Sequence, residues 1–260
     1  MEKISALLIT YNEERNIERF LKDADYADEI IIVDSYSTDN TIDIAKKNSK
    51  VKIFFKEFID FTSQKNFAID QASFEWITFF DADEHIPEGL RTEILKTVNS
   101  SQNLDAYYVH RRFYFKEKYI RFSGMQSDKA IRVFKKSKAR YRSNRLVHEL
   151  IDCDGKVGIL KNSLDHYSYA NSKEYQRKLN SYSKLRAKEL ALKGLKPNIF
   201  HFYIKPAYRF VNHYFIRLGF LDGIQGYVIS KLHAESVYKR YVFLNEIYEA
   251  KTSEVINKNT

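Results

Sequence analysis

The stretch WITFFDADEHI, Trp76 to Ile86, decides the fold that we predict for this chain. Its first five residues are mostly apolar, and such a run predicts a buried strand. Asp81, Asp83 and Glu84 follow where that strand ends. A buried carboxylate without a partner is unfavourable, so three carboxylates at the mouth of a core strand indicate a cation beside them. A metal ion is one candidate for that cation.

Apolar runs of the same kind lie on both sides of this stretch, separated by helical or loop segments. This alternation predicts an α/β fold whose mainly parallel sheet is covered by helices on both faces. The helix between the first two strands is predicted from Glu13 to Ala24 with Asn12 as its N-cap, and the second from Thr38 to Asn48. The other predicted strands are ISALLIT (4–10), EIIIVD (29–34), VKIFF (51–55) and DAYYVHRRFYF (105–115).

Beyond residue 170 the pattern becomes helical throughout. Apolar residues recur there at helical spacing in two segments before Asp222, and a third helix is predicted after it. We therefore predict a catalytic domain over residues 1–170 and a helical C-terminal extension over residues 171–260.

Polar residues follow three of the predicted strands. The carboxyl ends of parallel strands meet at one edge of the sheet, where open α/β sheets bind ligands, so we expect these residues to line one crevice. Several of them are also preferred helix caps, and a capping role alone would explain those. Asp81 and Asp83 differ, because a purely structural strand end has no use for two carboxylates, whereas hard divalent cations bind carboxylate oxygens. The residues are Thr10 to Glu13, Asp34 to Asp39, and Asp81 to Asp83.

The composition limits the classes of function. The chain has 260 residues, of which 44% are hydrophobic, so it can bury a full core. It has a single cysteine, Cys153, no signal-peptide pattern, and no apolar run of the roughly 20 residues that a membrane helix requires. We therefore expect a cytoplasmic location. The net charge of +9 indicates an anionic partner, which could be nucleic acid, a phospholipid surface or a phosphorylated small molecule.

Three motifs occur in order along the chain: LLITYNEERNIERFL (7–21), IIVDSYSTDNTIDIA (31–45) and FFDADEHI (79–86). They resemble the opening strand and helix, the second nucleotide-binding element and the DXD element of the family 2 glycosyltransferases, which have the GT-A fold. The resemblance covers residues 1–170 and implies a GT-A, Rossmann-like sheet flanked by helices.

Three further segments, QKNFAID (64–70), RVFKKSKARY (132–141) and NRLVHEL (144–150), make the chain similar to the lipopolysaccharide-core β-glucosyltransferase branch of that family. This resemblance implies an inverting transferase that moves a hexose, such as glucose from UDP-glucose, to a cell-envelope or lipopolysaccharide-core acceptor. It also implies dependence on Mg2+ or Mn2+.

The resemblance implies roles for individual residues. Asp81 would contact the ribose or a metal-bound water, and Asp83 would ligate the metal that bridges the diphosphate. The metal would neutralise charge on the departing diphosphate. The residues implied in donor binding are Thr10, Tyr11, Glu13 and Asp34 for the base and ribose, and Lys65 for the ribose or phosphates.

An inverting transfer also requires a carboxylate that removes the proton of the acceptor hydroxyl. Glu149 is the first candidate, and Asp128 is the alternative. Glu149 could instead form an ion pair with a nearby arginine, a common and weak surface interaction. His148 and His166 are candidates to assist the metal or the diphosphate, although a lone histidine is more often a packed, hydrogen-bonded residue.

The segment from Ile199 to Gly223 mixes aromatic and basic residues at helical spacing, as interfacial helices do. Lys205, Arg209 and Arg217 are predicted to contact an anionic membrane surface, where an acceptor carried on a lipid would lie. A helical cap packed on the sheet would explain the same pattern.

Two other classes of function stay open at this point. A nucleic-acid binding module would explain the positive charge, but the basic residues are spread along the chain and no reader motif accompanies them, so we expect no nucleic-acid partner. A metal-dependent nucleotidyltransferase or phosphohydrolase would use the aspartate pair. The former usually has a glycine-rich phosphate loop after its first strand, and TYNEERN (10–16) contains no glycine.

Overall fold

The computed structural model describes residues 1–125, 128–142, 151–169 and 172–258. The chain divides into two compact units, which are described separately: a sheet unit, Met1–Arg112 with Ser127–Tyr167, and a helical unit, Phe113–Gln126 with Ser168–Thr260. The sequence-based boundary between residues 1–170 and 171–260 stays a prediction.

The strands are numbered in chain order. They are β1 (Ile4–Thr10), β2 (Glu29–Asp34), β3 (Val51–Phe55), β4 (Trp76–Phe79), β5 (Glu84–His85), β6 (Ala106–Phe115), β7 (Lys118–Tyr119), β8 (Lys129–Lys135), β9 (Ala139–Tyr141), β10 (Ile151–Cys153) and β11 (Val157–Tyr169). Nine of these described strands form one sheet in the order β3-β2-β1-β4-β8-β6-β11-β5, with β7 paired to β6. Strands β9 and β10 form a separate pair.

The half of the sheet made of β3, β2, β1 and β4 is parallel, which confirms the predicted α/β pattern. All residues of β2 and β4 are buried, as expected for parallel strands covered on both faces. In the sheet register Thr10 lies beside Asp34, and Leu7 lies beside Phe79. The carboxyl ends of β1, β2 and β4 therefore meet at one edge. Beyond β4 the sheet continues with the antiparallel pairs β4–β8 and β8–β6.

Helices follow the parallel strands as predicted, but the first two begin later than the sequence indicated. The first buries Ile17, Phe20 and Leu21. The helices are α1 (Ile17–Asp23), α2 (Thr41–Ala45), α3 (Phe61–Gln71), α4 (Glu88–Val98), α5 (Ser172–Leu192), α6 (Lys205–Val211) and α7 (Ile224–Lys258).

Asn12 is not the N-cap of α1, so that prediction was wrong. The helix begins at Ile17, and Asn16 occupies the cap position. Asn12 has a left-handed backbone with φ of 57°. Its side-chain oxygen accepts a hydrogen bond of 2.8 Å from the backbone N–H of Thr38. The N-cap prediction failed because an asparagine side chain that can cap a helix can also form a hydrogen bond with the backbone of a neighbouring loop.

In the helical unit, α5 packs along α7. The second of the two helical segments predicted before Asp222 is not uniform, because π-helical turns at Phe200–Ile204 and Asn212–Ile216 flank α6. Pro206 near the start of α6 has no N–H to donate, which favours a change of helix geometry at this point. Within the described residues, no helix combines the length and apolar character needed to cross a membrane.

Candidate functional site

The carboxylate of Asp34 at the end of β2 organises the first part of the site. The Thr10 hydroxyl donates a hydrogen bond of 2.8 Å to Asp34 Oδ2, and the backbone N–H of Ser37 donates one of 2.7 Å to Asp34 Oδ1. Asp34 is fully buried. Its side chain therefore holds the strand ends together below the surface, and a direct contact between Asp34 and a ligand stays a prediction.

The loops that follow β1 and β2 are bonded to each other. The backbone N–H of Asn12 donates to Ser37 Oγ at 2.8 Å, and the N–H of Glu13 donates to Thr41 Oγ1 at 2.7 Å. Together with the bond from Thr38 to Asn12, these contacts fix the two loops as one edge. These polar residues, which a helix-capping role alone could have explained, thus fix the positions of the two loops that line the site.

A cavity of about 530 Å³ opens beside this edge. Tyr11 is exposed, and the rings of Phe58 and Phe61 lie edge to face with their centroids 4.9 Å apart. Below them, buried Gln64 donates to Ser35 Oγ at 2.9 Å. Aromatic faces with a few fixed polar groups suit a planar heterocycle. The cavity is lined by Ile9, Thr10, Tyr11, Glu13, Ser35, Phe58 and Phe61.

The residues after β4 form an ion-pair cluster. One guanidinium nitrogen of Arg132, Nη2, lies 2.6 Å from Asp81 Oδ2 and 2.6 Å from Glu84 Oε1. Arg132 is 4% exposed and Glu84 is 0% exposed. Lys65 Nζ lies 3.7 Å from the other oxygen of Asp81. A buried arginine therefore pairs with two of the three carboxylates, and a metal ion beside the cluster stays a prediction.

The charges around Asp81 hold it in the ionised form. Burial alone would raise the pKa of Asp81, but the positive charges of Arg132, Lys65, His166 and Arg111 outweigh it and hold the pKa well below its usual range. Asp81 is therefore ionised at neutral pH.

Asp83 has a different neighbour. His166 Nε2 on β11 lies 3.2 Å from Asp83 Oδ2, and the backbone N–H of Tyr167 donates to the carbonyl of Asp83 at 3.0 Å. The buried Nδ1 of His166 has no hydrogen-bond partner among the described residues. A carboxylate and an imidazole are suitable donors for Mn2+ or Mg2+, which commonly takes its other ligands from phosphates and water. The pair thus fits a divalent cation, although the described residues contain no cluster of three or more such side chains.

Glu13 connects the cavity to the carboxylates. It lines the cavity, and its pKa is raised by burial and by the negative charges of Asp83, Asp39 and Asp81, against the effect of a hydrogen bond from Asn16. The negative charges that follow β4 thus act on a residue that lines the cavity.

Of the two candidate bases, only Asp128 lies in the described part of the chain. Arg111 Nη2 is 2.7 Å from Asp128 Oδ1, and Arg111 Nη1 is 3.7 Å from Glu84 Oε1. Asp128 is therefore joined to the carboxylate cluster through one arginine. Glu149 and His148 lie outside the described residues, and their roles stay predictions.

Sequence reasoning missed Arg132, Phe58 and Phe61. A signal for Arg132 was present, because it is the one charged residue inside the apolar run AIRVF (130–134). A charge in such a run requires a buried partner. Which partner it meets depends on the pairing of β8 with β4, and the sequence alone does not give that pairing.

Several known proteins are similar to this chain. Residues 5–168 match the profile described as glycosyl transferase family 2. An uncharacterized glycosyltransferase of Rickettsia typhi is 31% identical over 263 residues, which cover 95% of this chain and 88% of the relative. The lipopolysaccharide core biosynthesis glycosyltransferase LpsC of Rhizobium meliloti is 28% identical, over 92% of this chain and 93% of LpsC. The crystal structure of S. aureus TarS 1-349 aligns with a TM-score of 0.48 at 13% identity, covering 95% of this chain and 92% of that one.

The profile match begins in β1 and ends in β11, so it includes every strand end that builds the site. It confirms the predicted GT-A fold class, and the likeness to LpsC agrees with the predicted lipopolysaccharide-core branch. The chain belongs to glycosyl transferase family 2 and is a glycosyltransferase.

Proposed function

We propose that the protein transfers a hexose from a UDP-sugar, such as UDP-glucose, to a saccharide or glycolipid acceptor of the cell envelope or lipopolysaccharide core. The observation that best supports this is the position of Glu13, which lines the aromatic cavity and also lies within electrostatic range of Asp81 and Asp83. A ligand that fills the cavity and reaches the carboxylates needs a planar base at one end and phosphates at the other. A nucleotide sugar has both parts.

The donor would bind along the edge formed by the strand ends. The rings of Tyr11 and Phe61, which line the cavity, would stack on the base. Asp34 would act from below, by holding the loop that receives the ribose. Lys65, 3.7 Å from Asp81, brings a positive charge toward the place proposed for the diphosphate.

Asp83 and His166 would hold Mg2+ or Mn2+. When bound, such a cation would neutralise negative charge on the departing diphosphate. Asp81, already paired with Arg132, would contact the ribose or a water of the cation rather than ligate the cation directly. His148 is the further candidate ligand from the sequence.

In the proposed inverting reaction, the acceptor oxygen bonds to the anomeric carbon while the bond from that carbon to the diphosphate breaks. The electron pair of the broken bond leaves with the diphosphate, and a carboxylate takes the proton of the acceptor hydroxyl. Glu149 is the first candidate for that carboxylate, and Asp128, oriented by Arg111, is the alternative. We place this reaction in the cytoplasm.

Nucleotide binding tests the proposal most directly. We expect UDP with Mn2+ to raise the melting temperature more than ADP or GDP does, since a ligand at 100 times its Kd adds about 2.7 kcal/mol of stability. Asp83→Asn should remove the part of the UDP shift that depends on Mn2+ and leave the melting temperature of the ligand-free protein unchanged. Asp70→Asn, at an exposed carboxylate paired with Arg140, is the matched control.

Three results would count against the proposal. If none of the nucleotides shifts the melting temperature, the site does not bind a nucleotide sugar. If the three nucleotides give equal shifts, the uridine preference is wrong. If the protein hydrolyses UDP-glucose to UMP and glucose 1-phosphate at the same rate with and without acceptor glycans, the activity is a phosphohydrolase and not a transferase.

A further inference from the structure

We propose that the helical unit docks on the surface of an anionic lipid bilayer through apolar side chains between Ile199 and Tyr227. We call this surface the docking face. It is made of the exposed side chains of Ile199, Tyr203, Tyr208, Ile216, Leu221 and Ile224 and of the aromatic rings between them. The proposal goes beyond sugar transfer, because it assigns a binding surface that no step of the transfer uses.

Exposure of large apolar side chains is concentrated in this segment. Ile224 is 79% exposed and Tyr208 is 64% exposed. Rings within the segment also contact one another, since the Tyr214 ring centroid lies 5.0 Å from that of Phe215 and 5.9 Å from that of Tyr227. Single exposed apolar residues are ordinary, but many of them within one segment mark a surface that binds another apolar phase or partner.

The charge of the segment identifies the partner. Between Glu189 and Asp222 the sequence has no acidic residue, while lysine and arginine occur five times. Asp222 itself is buried, and its carboxylate accepts hydrogen bonds from the backbone N–H groups of Arg121 and Phe122. The surface is thus apolar and basic, with tyrosine among its exposed residues, which is the composition of interfaces that contact anionic lipid headgroups.

A second copy of the chain is a poorer partner for this face. In a two-fold symmetric dimer the same patch meets itself, so the basic residues of one copy would face those of the other. An anionic bilayer has the opposite charge and also accepts the exposed rings and aliphatic chains. Since no described helix can span a membrane, the face would lie in the plane of the interface.

The structure points to other basic residues than the sequence did as those that attract an anionic membrane. Lys205 Nζ donates to the Tyr241 hydroxyl at 3.0 Å, and Arg209 Nη1 lies 3.3 Å from His213 Nε2. Both side chains are only partly exposed, so reversing their charges would disturb packing within the helical unit. Lys193 and Lys196, which follow α5, are exposed and are better positions for a test.

Binding of the full-length protein to vesicles tests the proposal. We expect flotation with vesicles that contain about one third phosphatidylglycerol, weaker binding at high salt, and little binding to pure phosphatidylcholine. Ile199→Ser/Tyr208→Ser/Ile224→Ser should lower binding at least about tenfold, because interfacial affinity scales with buried apolar area. Lys193→Glu/Lys196→Glu should lower binding mainly at low salt. Leu95→Ser/Ile159→Ser, which removes two exposed apolar side chains of the sheet unit, is the control and should bind as the wild type does.

A fluorescence measurement guards against a variant that fails to fold. Trp76 is the only tryptophan of the chain and is buried, so Tyr208→Trp adds a separate reporter on the docking face. Vesicles should shift the added emission to shorter wavelength, and lipids brominated in the acyl chain should quench it. The proposal is overturned if the wild type binds neither vesicle, if the triple serine variant binds undiminished, or if the added tryptophan shows no shift. It is also overturned if the wild type is a dimer that the triple variant dissociates without any vesicle binding.

Discussion

Replacing Arg132 by methionine should destabilise the sheet unit more than the loss of any surface ion pair. Arg132 Nη2 lies 2.6 Å from carboxylate oxygens of both Asp81 and Glu84, and Arg132 and Glu84 are buried. Removing one partner of a buried ion pair costs about 3–5 kcal/mol, because the other charge stays buried without compensation. Lys65 and Arg111 remain, each 3.7 Å from one of these carboxylates, so we expect the lower end, about 3 kcal/mol.

The chain provides a specific probe for this experiment. Trp76 on β4 is its only tryptophan, and β4 pairs directly with β8, which contains Arg132. Urea unfolding followed by tryptophan fluorescence therefore reports on the unit that the substitution affects. A loss of about 3 kcal/mol corresponds to a melting temperature lower by about 6–12 °C for a domain of this size. Arg140→Met is the matched control, since Arg140 pairs with Asp70 at an exposed site where an ion pair contributes about 0–1 kcal/mol.

The pH dependence of stability shows whether Arg132→Met is destabilised by the loss of charge pairing or by the loss of packing. In the wild type the pKa of Asp81 is lowered, so its contribution to stability is present above the unfolded pKa and is lost as the pH falls through the folded pKa. Arg132 is the largest of the charges that lower this pKa, so its removal takes away most of that contribution. The difference between wild type and Arg132→Met should therefore be complete above about pH 5 and should narrow as the pH falls below about 4. A difference below about 1 kcal/mol at neutral pH, or one that is unchanged at about pH 3, would refute this reasoning.

Two further predictions concern the catalytic base and the helical unit. If Glu149 is the general base, Glu149→Gln should lower turnover by a factor of about 10²–10⁴ without changing UDP affinity. If Glu149→Gln instead keeps near wild-type turnover while Asp128→Asn loses most of it, the base is Asp128. In the helical unit, burial lowers the pKa of His213 to about 4 and that of His233 to about 3. Below about pH 6.5 the unfolded state therefore binds more protons than the folded state, so the free energy of unfolding should fall as the pH is lowered from about 6.5 to about 4. Unfolding followed by circular dichroism should show a smaller fall for His213→Gln than for the wild type.

The strands and the edge where the site lies could be predicted from the sequence, because the determining signals are local. Runs such as EIIIVD and WITFF have few alternatives to a buried strand, and polar residues after such runs fall at strand ends in any parallel sheet. The predicted positions of Thr10, Asp34 and Asp81 at neighbouring strand ends follow from this and are found in the structure.

The partners of these residues could not be predicted, because they depend on pairings between distant parts of the chain. Arg132 lies 51 residues beyond Asp81 and reaches it only because β8 runs antiparallel beside β4. The same limit applies to Lys205, which lies 36 residues from its partner Tyr241. Helical spacing shows which residues share one side of a helix, but it does not show which side faces Tyr241 and which faces solvent.

The three carboxylates after β4 are distinguished by their partners and not by their spacing in the motif. Glu84 is buried against a permanent guanidinium, and Asp81 faces the same group and a lysine, so positive charge at these two positions is already supplied by the protein. A divalent cation placed there would be repelled by Arg132. Asp83 instead faces an imidazole, which is neutral when deprotonated and is itself a metal ligand. Substitution of Asp83 should therefore affect metal-dependent nucleotide binding with little effect on stability, whereas substitution of Arg132 should affect stability first.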